Sequence, residues 1–207
     1  VAAEDDKREA IVRSAFGLLM RDGPAALTFE RLGAEAGMSR QLVRYYFQDL
    51  ESLLIALCDH LAGLYRSQLV SGAAEAGIGE RLDFFLDFYF GLRDDRPKPK
   101  DDQAYDALFA YAAGHKPVRE RLASQYGLLG QVVSHEIQVS FPEIPDRDAQ
   151  ELSYLFVCLM YGHWKMVASL GHAEEHGALA REAMIRLIES YRAAASERTS
   201  DPLPWAR

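Results

Sequence analysis

Apolar residues recur along almost the whole chain at three- and four-residue intervals, the spacing of one face of an α-helix. No stretch alternates with the period of two that β-branched strands and hairpin turns produce. The pattern predicts a first helix over 5–21, with Ile11, Ala15, Leu18 and Leu19 on one face and Asp22-Gly23-Pro24 as its stop. Thr28 reads as the N-cap of a short helix through Ala36. Gly37 supplies a left-handed turn residue and Ser39 the next N-cap, for a second short helix to about Phe47. Asp49 caps a long helix to about residue 74. Further helices are predicted over 80–93, 103–114, 117–140, 146–171 and 178–195, with a Pro-rich charged loop at 94–102. The fold class is therefore all-α. The character changes near residues 50–57, from short helices with tight turns to long helices rich in aromatic residues. This divides the chain into a small N-terminal bundle (1–50), a larger helical domain (51–198) and a frayed, flexible tail (199–207) holding two prolines.

Two short helices joined by Gly37-Met38-Ser39 meet the requirements of a helix-turn-helix. Leu32, Ala36, Val43 and Phe47 can share a core with Ile11, Ala15 and Leu18, and Met38 can plug the turn. Gly33, Ala34 and Ala36 permit close approach. With Val43 and Phe47 turned inward, Arg40, Gln41, Arg44 and Tyr45 are left on the outer face, types suited to base edges and phosphates. By spacing alone, a plain helical hairpin with solvated Arg and Gln remains an equal alternative.

The residues from Arg8 to Leu54 resemble the DNA-binding region of the TetR family of repressors. The resemblance is carried by Ile11, Ala15, Phe16, Gly23, Leu27-Thr28, Leu32, Ala36-Gly37-Met38-Ser39, Tyr46-Phe47, Asp49, Glu51 and Leu53-Leu54. It implies about nine helices: an N-terminal three-helix bundle with the helix-turn-helix, then a larger ligand-binding and dimerisation domain. It also implies Thr28, Ser39, Arg40, Gln41, Leu42, Arg44, Tyr45 and Tyr46 as contacts to a double-stranded operator. The partners implied are a small-molecule effector and a second copy of the chain, with no cofactor, no metal and no enzymatic step. Three positions depart from the family pattern: Gln41 stands where a small residue is usual, Arg44 where Tyr is usual, and Leu50 where Lys anchors a phosphate.

The net charge is −8, yet residues 7–54 hold seven Lys/Arg against six Asp/Glu, so nucleic-acid binding must rest on a few placed cations and a dimer. Two cysteines far apart in apolar helical patterns read as buried thiols in a reducing compartment, hence a cytoplasmic protein. No apolar run approaches the roughly 20 residues needed to span a bilayer. Residues 1–6 lack the basic-then-apolar layout of a leader, and a chain opening on Val1 suggests a missing start. The resemblance implies that aromatic residues of the middle helices line a cavity, which would make Phe84, Phe88, Tyr105, Phe109, Tyr126, Tyr161 and Trp164 walls for a hydrophobic or aromatic effector, whereas by residue type alone each reads as ordinary core packing. The last two helices are too apolar for one buried face, which points to a dimer contact involving Phe156, Leu159, His163, Val167, Ile185 and Ile188. One rival pattern is His172-Ala173-Glu174-Glu175-His176, an inverted zinc-peptidase arrangement with Glu175 as general base. Glycines at 171 and 177 favour a loop there instead. A helical adaptor that binds no DNA is the remaining alternative.

Overall fold

The computed structural model describes residues 2–193 and 204–205. Among them are nine α-helices and no strand: α1 (Ala2–Asp22), α2 (Phe29–Ala36), α3 (Arg40–Tyr46), α4 (Leu50–Glu75), α5 (Arg81–Tyr89), α6 (Asp102–Ala112), α7 (Lys116–Ser140), α8 (Asp146–Leu170) and α9 (His176–Ala193). Single 3-10 turns at Pro24–Ala26 and Ile78–Glu80 lead into α2 and α5. The caps follow the side-chain chemistry. The Thr28 hydroxyl accepts from the Arg31 amide at 3.3 Å, that of Ser39 from Leu42 at 3.1 Å, and the Asp49 carboxylate from Ser52 at 2.8 Å. The Ser52 bonds also hold the Asp49 carboxyl below its ordinary range. The fifth helix is shorter than the periodicity predicts. Its apolar pattern runs past Phe90, but the backbone turns at Gly91 and the charged loop begins there.

The chain forms two compact units, and their limits differ from a division at residue 50. The first comprises Val1–Leu64 and Lys100–Ala123, the second Tyr65–Pro99 and Ser124–Arg207. Since α4 and α7 are unbroken helices, each contributes one part of its length to each unit. The core of the first unit is built from Ile11, Ala15, Leu18, Leu32, Val43, Phe47, Leu53, Leu57 and Leu61, closed by Leu108 and Leu122. Met38 and Ala36 pack at its edge as the helix-turn-helix pattern requires. The second core gathers Phe85, Phe88, Tyr89, Phe90, Ile137, Leu152, Phe156, Trp164, Met184 and Ile188. Most of the tail over 199–207 lies outside the described residues. Pro204 and Trp205 lie within them, and Trp205 packs on the second core rather than standing free.

Candidate nucleic-acid interface

The turn between α2 and α3 is fixed by backbone geometry. Gly37 sits in the left-handed region at φ 64°, which a glycine adopts without steric penalty, and the Met38 amide donates to the Gly33 carbonyl at 2.8 Å. Gly33 is itself enclosed: a Cβ there would stand 2.7 Å from the Met38 carbonyl oxygen and 3.3 Å from the Arg40 amide nitrogen. A side chain at position 33 would thus push away the residues that begin α3.

Burial of Val43 and Phe47 against the first core decides which way α3 faces. Thr28, Ser39, Arg40, Gln41, Arg44 and Tyr45 are exposed, while Leu42 and Tyr46 are half-buried. Seven of the eight candidate contact residues lie on α3 or cap it, with Arg40 and Gln41 opening the helix, and Thr28 caps α2, whose first residue, Phe29, meets Arg44. Arg44 stands over the Phe29 ring, 5.5 Å from its centroid, a cation–π contact that restrains an otherwise long, mobile side chain. Tyr45 is 70% exposed and meets Tyr46 edge-on with centroids 5.3 Å apart. Partial burial, then the nearby Glu4 carboxylate and Tyr45, raise the Tyr46 phenol above its usual range, so it stays a neutral donor near pH 7.

Several supporting contacts escape sequence reasoning because they join residues far apart in the chain. Arg8 lies over the Phe47 ring at 4.9 Å. Arg21 grips Glu35 through two bonds of 3.2 and 3.0 Å and holds its carboxyl below the ordinary range, while Arg31 pairs with Asp22. Glu4 reaches the Tyr45 hydroxyl at 3.5 Å. These pairs take up basic side chains near the motif. Among the described residues Arg40 forms no ion pair, which leaves its guanidinium available at the start of α3.

The other candidates are distributed as follows. Phe84, Phe88 and Trp164 are buried in the second unit, Tyr126 packs on the same cluster, and Tyr161 is half-buried on α8. Tyr105 and Phe109 pack instead on the core of the first unit. The Trp164 indole donates to the Tyr89 carbonyl at 2.7 Å, and Lys98 stands 4.3 Å from its ring centroid. Of the residues assigned to a dimer contact, Phe156 and Ile188 are 0% and 1% exposed within one chain. They build its own core and leave no surface to share. Leu159, His163, Val167 and Ile185 are half-buried at the margin. The exposed apolar residues of α8 and α9 are Tyr154, Met166, Leu170 and Leu179, which periodicity alone does not separate from the inner ones. Cys58 is buried as expected, and burial pushes its thiol up to about 12. Cys158, expected to be buried too, is exposed, because its face of α8 is left uncovered by the chain's own helices. The His172–His176 spacing does not fall on one helix: α8 ends at Leu170, and His176 opens α9. No group of three or more potential metal ligands converges among the described residues, and no helix there is long and apolar enough to cross a membrane.

A capped helix-turn-helix in a small N-terminal bundle, followed by long amphipathic helices, is the all-helical arrangement that the resemblance of residues 8–54 implies. Comparison with known proteins agrees. Residues 11–57 match the model of bacterial regulatory proteins of the tetR family. The chain is 31% identical over 123 residues to the HTH-type transcriptional regulator BetI of Rhizobium meliloti (strain 1021), a stretch covering 59% of this chain and 60% of that protein. Its fold is similar to that of a TetR transcription regulator from Haloarcula marismortui, with a TM-score of 0.77 at 20% identity, covering 90% of this chain and 98% of the other. It is also similar to a regulator from Saccharomonospora viridis solved in complex with choline, with a TM-score of 0.71 at 19% identity, covering 89% and 96%. The match to the tetR family model thus covers the helix-turn-helix region, residues 11–57, and the chain spans about 60% of the length of the curated regulator it resembles, while the solved structures share its all-helical fold over nine-tenths of the chain.

Proposed function

We propose that this protein is a ligand-responsive DNA-binding repressor. In this reading two copies pair, and their α3 helices enter successive major-groove faces of a pseudo-palindromic operator about 34–36 Å apart. The observation that carries it is the outer face of α3: Arg40, Gln41, Arg44 and Tyr45 exposed together on a helix whose start is fixed by Ser39 and the Gly33–Gly37 turn. Arg40 and Gln41 read base edges, while Thr28, Ser39, Arg44, Tyr45 and Tyr46 serve the sugar–phosphate backbone and Leu42 lends apolar contact.

Pairing draws on the uncovered apolar side of α8 and α9, where Met166, Leu170 and Leu179 are 47%, 66% and 60% exposed. A small hydrophobic or aromatic effector, bound among the aromatic residues of the second unit, favours a different spacing of the recognition helices and so releases DNA, since the two binding events share one coupling free energy. The choline complex of the Saccharomonospora viridis regulator adds quaternary ammonium compounds to the effectors worth testing, because ring faces also attract cations. A protein with this role works beside the chromosome, in the cytoplasm. The test is selection of bound sequences from a random duplex library at a stated salt concentration. A pseudo-palindrome with half-sites about one helical turn apart supports the proposal. Failure to enrich any sequence, with and without candidate effectors, removes it.

A further inference from the structure

Near the C-terminal end of the described chain, the indole of Trp205 lies on a seat made by α7 and α8. Its floor is Gly130. A Cβ at that position would stand 2.2, 2.4 and 2.6 Å from the indole Cε2, Cζ2 and Nε1 atoms, so the ring rests where a side chain would otherwise project. Its inner wall is Ser153, fully buried. The Ser153 hydroxyl donates its only proton to the Gln150 carbonyl at 2.8 Å and accepts from the indole N–H at 2.9 Å. A hydroxyl has one proton and two lone pairs, so with its proton engaged Ser153 can act toward the ring only as an acceptor. The third side is Tyr154, edge-on to the indole at 5.4 Å between centroids and 73° between planes, the geometry aromatic quadrupoles favour. Flat floor, oriented acceptor and perpendicular aromatic wall together select a planar bicyclic aryl group with one N–H on its inner edge.

We propose that this seat is an aryl-binding site whose resident ligand is the chain's own Trp205, and that a free indole-type molecule occupies it when Trp205 is removed or displaced. Because Trp205 belongs to the same chain its binding is intramolecular, so free ligand competes in the intact chain only above its effective concentration. The site is distinct from the effector residues discussed above and does not depend on the DNA-binding reading.

Two measurements on the full chain test this. In the first, the chain's only other tryptophan is replaced by W164F, and Trp205 emission and acrylamide quenching are read with and without G130A. The seated indole should give blue-shifted, shielded emission. The Cβ added by G130A should expel it, with a red shift and at least a twofold rise in the quenching constant. Equal quenching in both variants overturns the assignment. In the second, W205G is heated with indole or 1-methylindole. Indole should raise the Tm of W205G by about 2–4 °C at several times its Kd and leave the unsubstituted chain unmoved at the same concentration. The 1-methyl compound, lacking the N–H, should do little, and adding S153A should abolish the preference. An equal shift in W205G and the unsubstituted chain, or no preference for the N–H, contradicts the proposal.

Discussion

Two glycines in helices of the first unit invite the same substitution with opposite outcomes. At Gly17 in α1 nothing lies within 4 Å of a built Cβ, so G17A gains helix propensity at no steric cost. Replacing a helical glycine by alanine in open space stabilises by about 0.5–1 kcal/mol. At Gly33 the same gain is available, but the new Cβ would stand 2.7 Å from the Met38 carbonyl oxygen, 0.7 Å inside the 3.4 Å at which ordinary contact begins. The obstacle is backbone, and so is the second contact, the Arg40 amide nitrogen at 3.3 Å; neither can rotate aside. The turn must open, against the Met38 to Gly33 hydrogen bond and the packing of Val43. Such overpacking costs about 1–3 kcal/mol, more than the propensity gain. G33A is therefore expected to be net destabilised in urea titration, G17A to be stabilised, and only G33A to lose affinity for the selected DNA, since α3 starts at the displaced residue. A G33A protein as stable as the parent, with unchanged DNA affinity, would refute the claim that close helix approach at this turn sets the pose of α3.

Other outcomes follow from the same structure. A thiol reagent should modify one cysteine per native chain, Cys158, while Cys58, buried with its thiol near 12, should react only on unfolding; two fast-reacting thiols would contradict the packing of α4. Labelling of Cys158 should slow as protein concentration rises, if the uncovered side of α8 pairs with a second copy. Glu35, Glu75 and Asp95 are each held below their ordinary range chiefly by hydrogen bonds from Arg21, Arg96 and Arg93. Folded values below unfolded ones mean that this stabilisation is fully present above the ordinary carboxylate range and is lost as pH falls through the folded values. Chemical denaturation should accordingly show their contribution intact near pH 7 and declining below about pH 4.5, and R21A should flatten part of that decline.

What the sequence discloses and what it conceals divide along physical lines. Thr28, Ser39, Asp49 and Gly37 are legible because a cap or a left-handed residue is a local matter, decided within four residues. The inward turn of Val43 and Phe47 is legible from helical spacing, and it fixes which residues α3 presents. Periodicity cannot tell a face buried within one chain from a face left for another, so Phe156 and Ile188 read as contact residues and Cys158 as buried. Contacts such as Arg8 over Phe47, or Arg21 with Glu35, depend on which helices meet and leave no local trace. Trp205 is hidden for a further reason. The proline-bearing composition around it signals a frayed end, while its seat consists of an absent side chain at Gly130 and one serine oxygen.

In the proposed function Arg40 and its neighbours on α3 read bases in two symmetric half-sites. The most direct test is to repeat the random-duplex selection with R40A beside the parent chain at the same salt concentration. The parent should return a pseudo-palindrome, and R40A should lose about 1–3 kcal/mol of affinity with base preference relaxed at one position in each half-site. Recovery of an identical motif by R40A, at every position and with equal affinity, would contradict it.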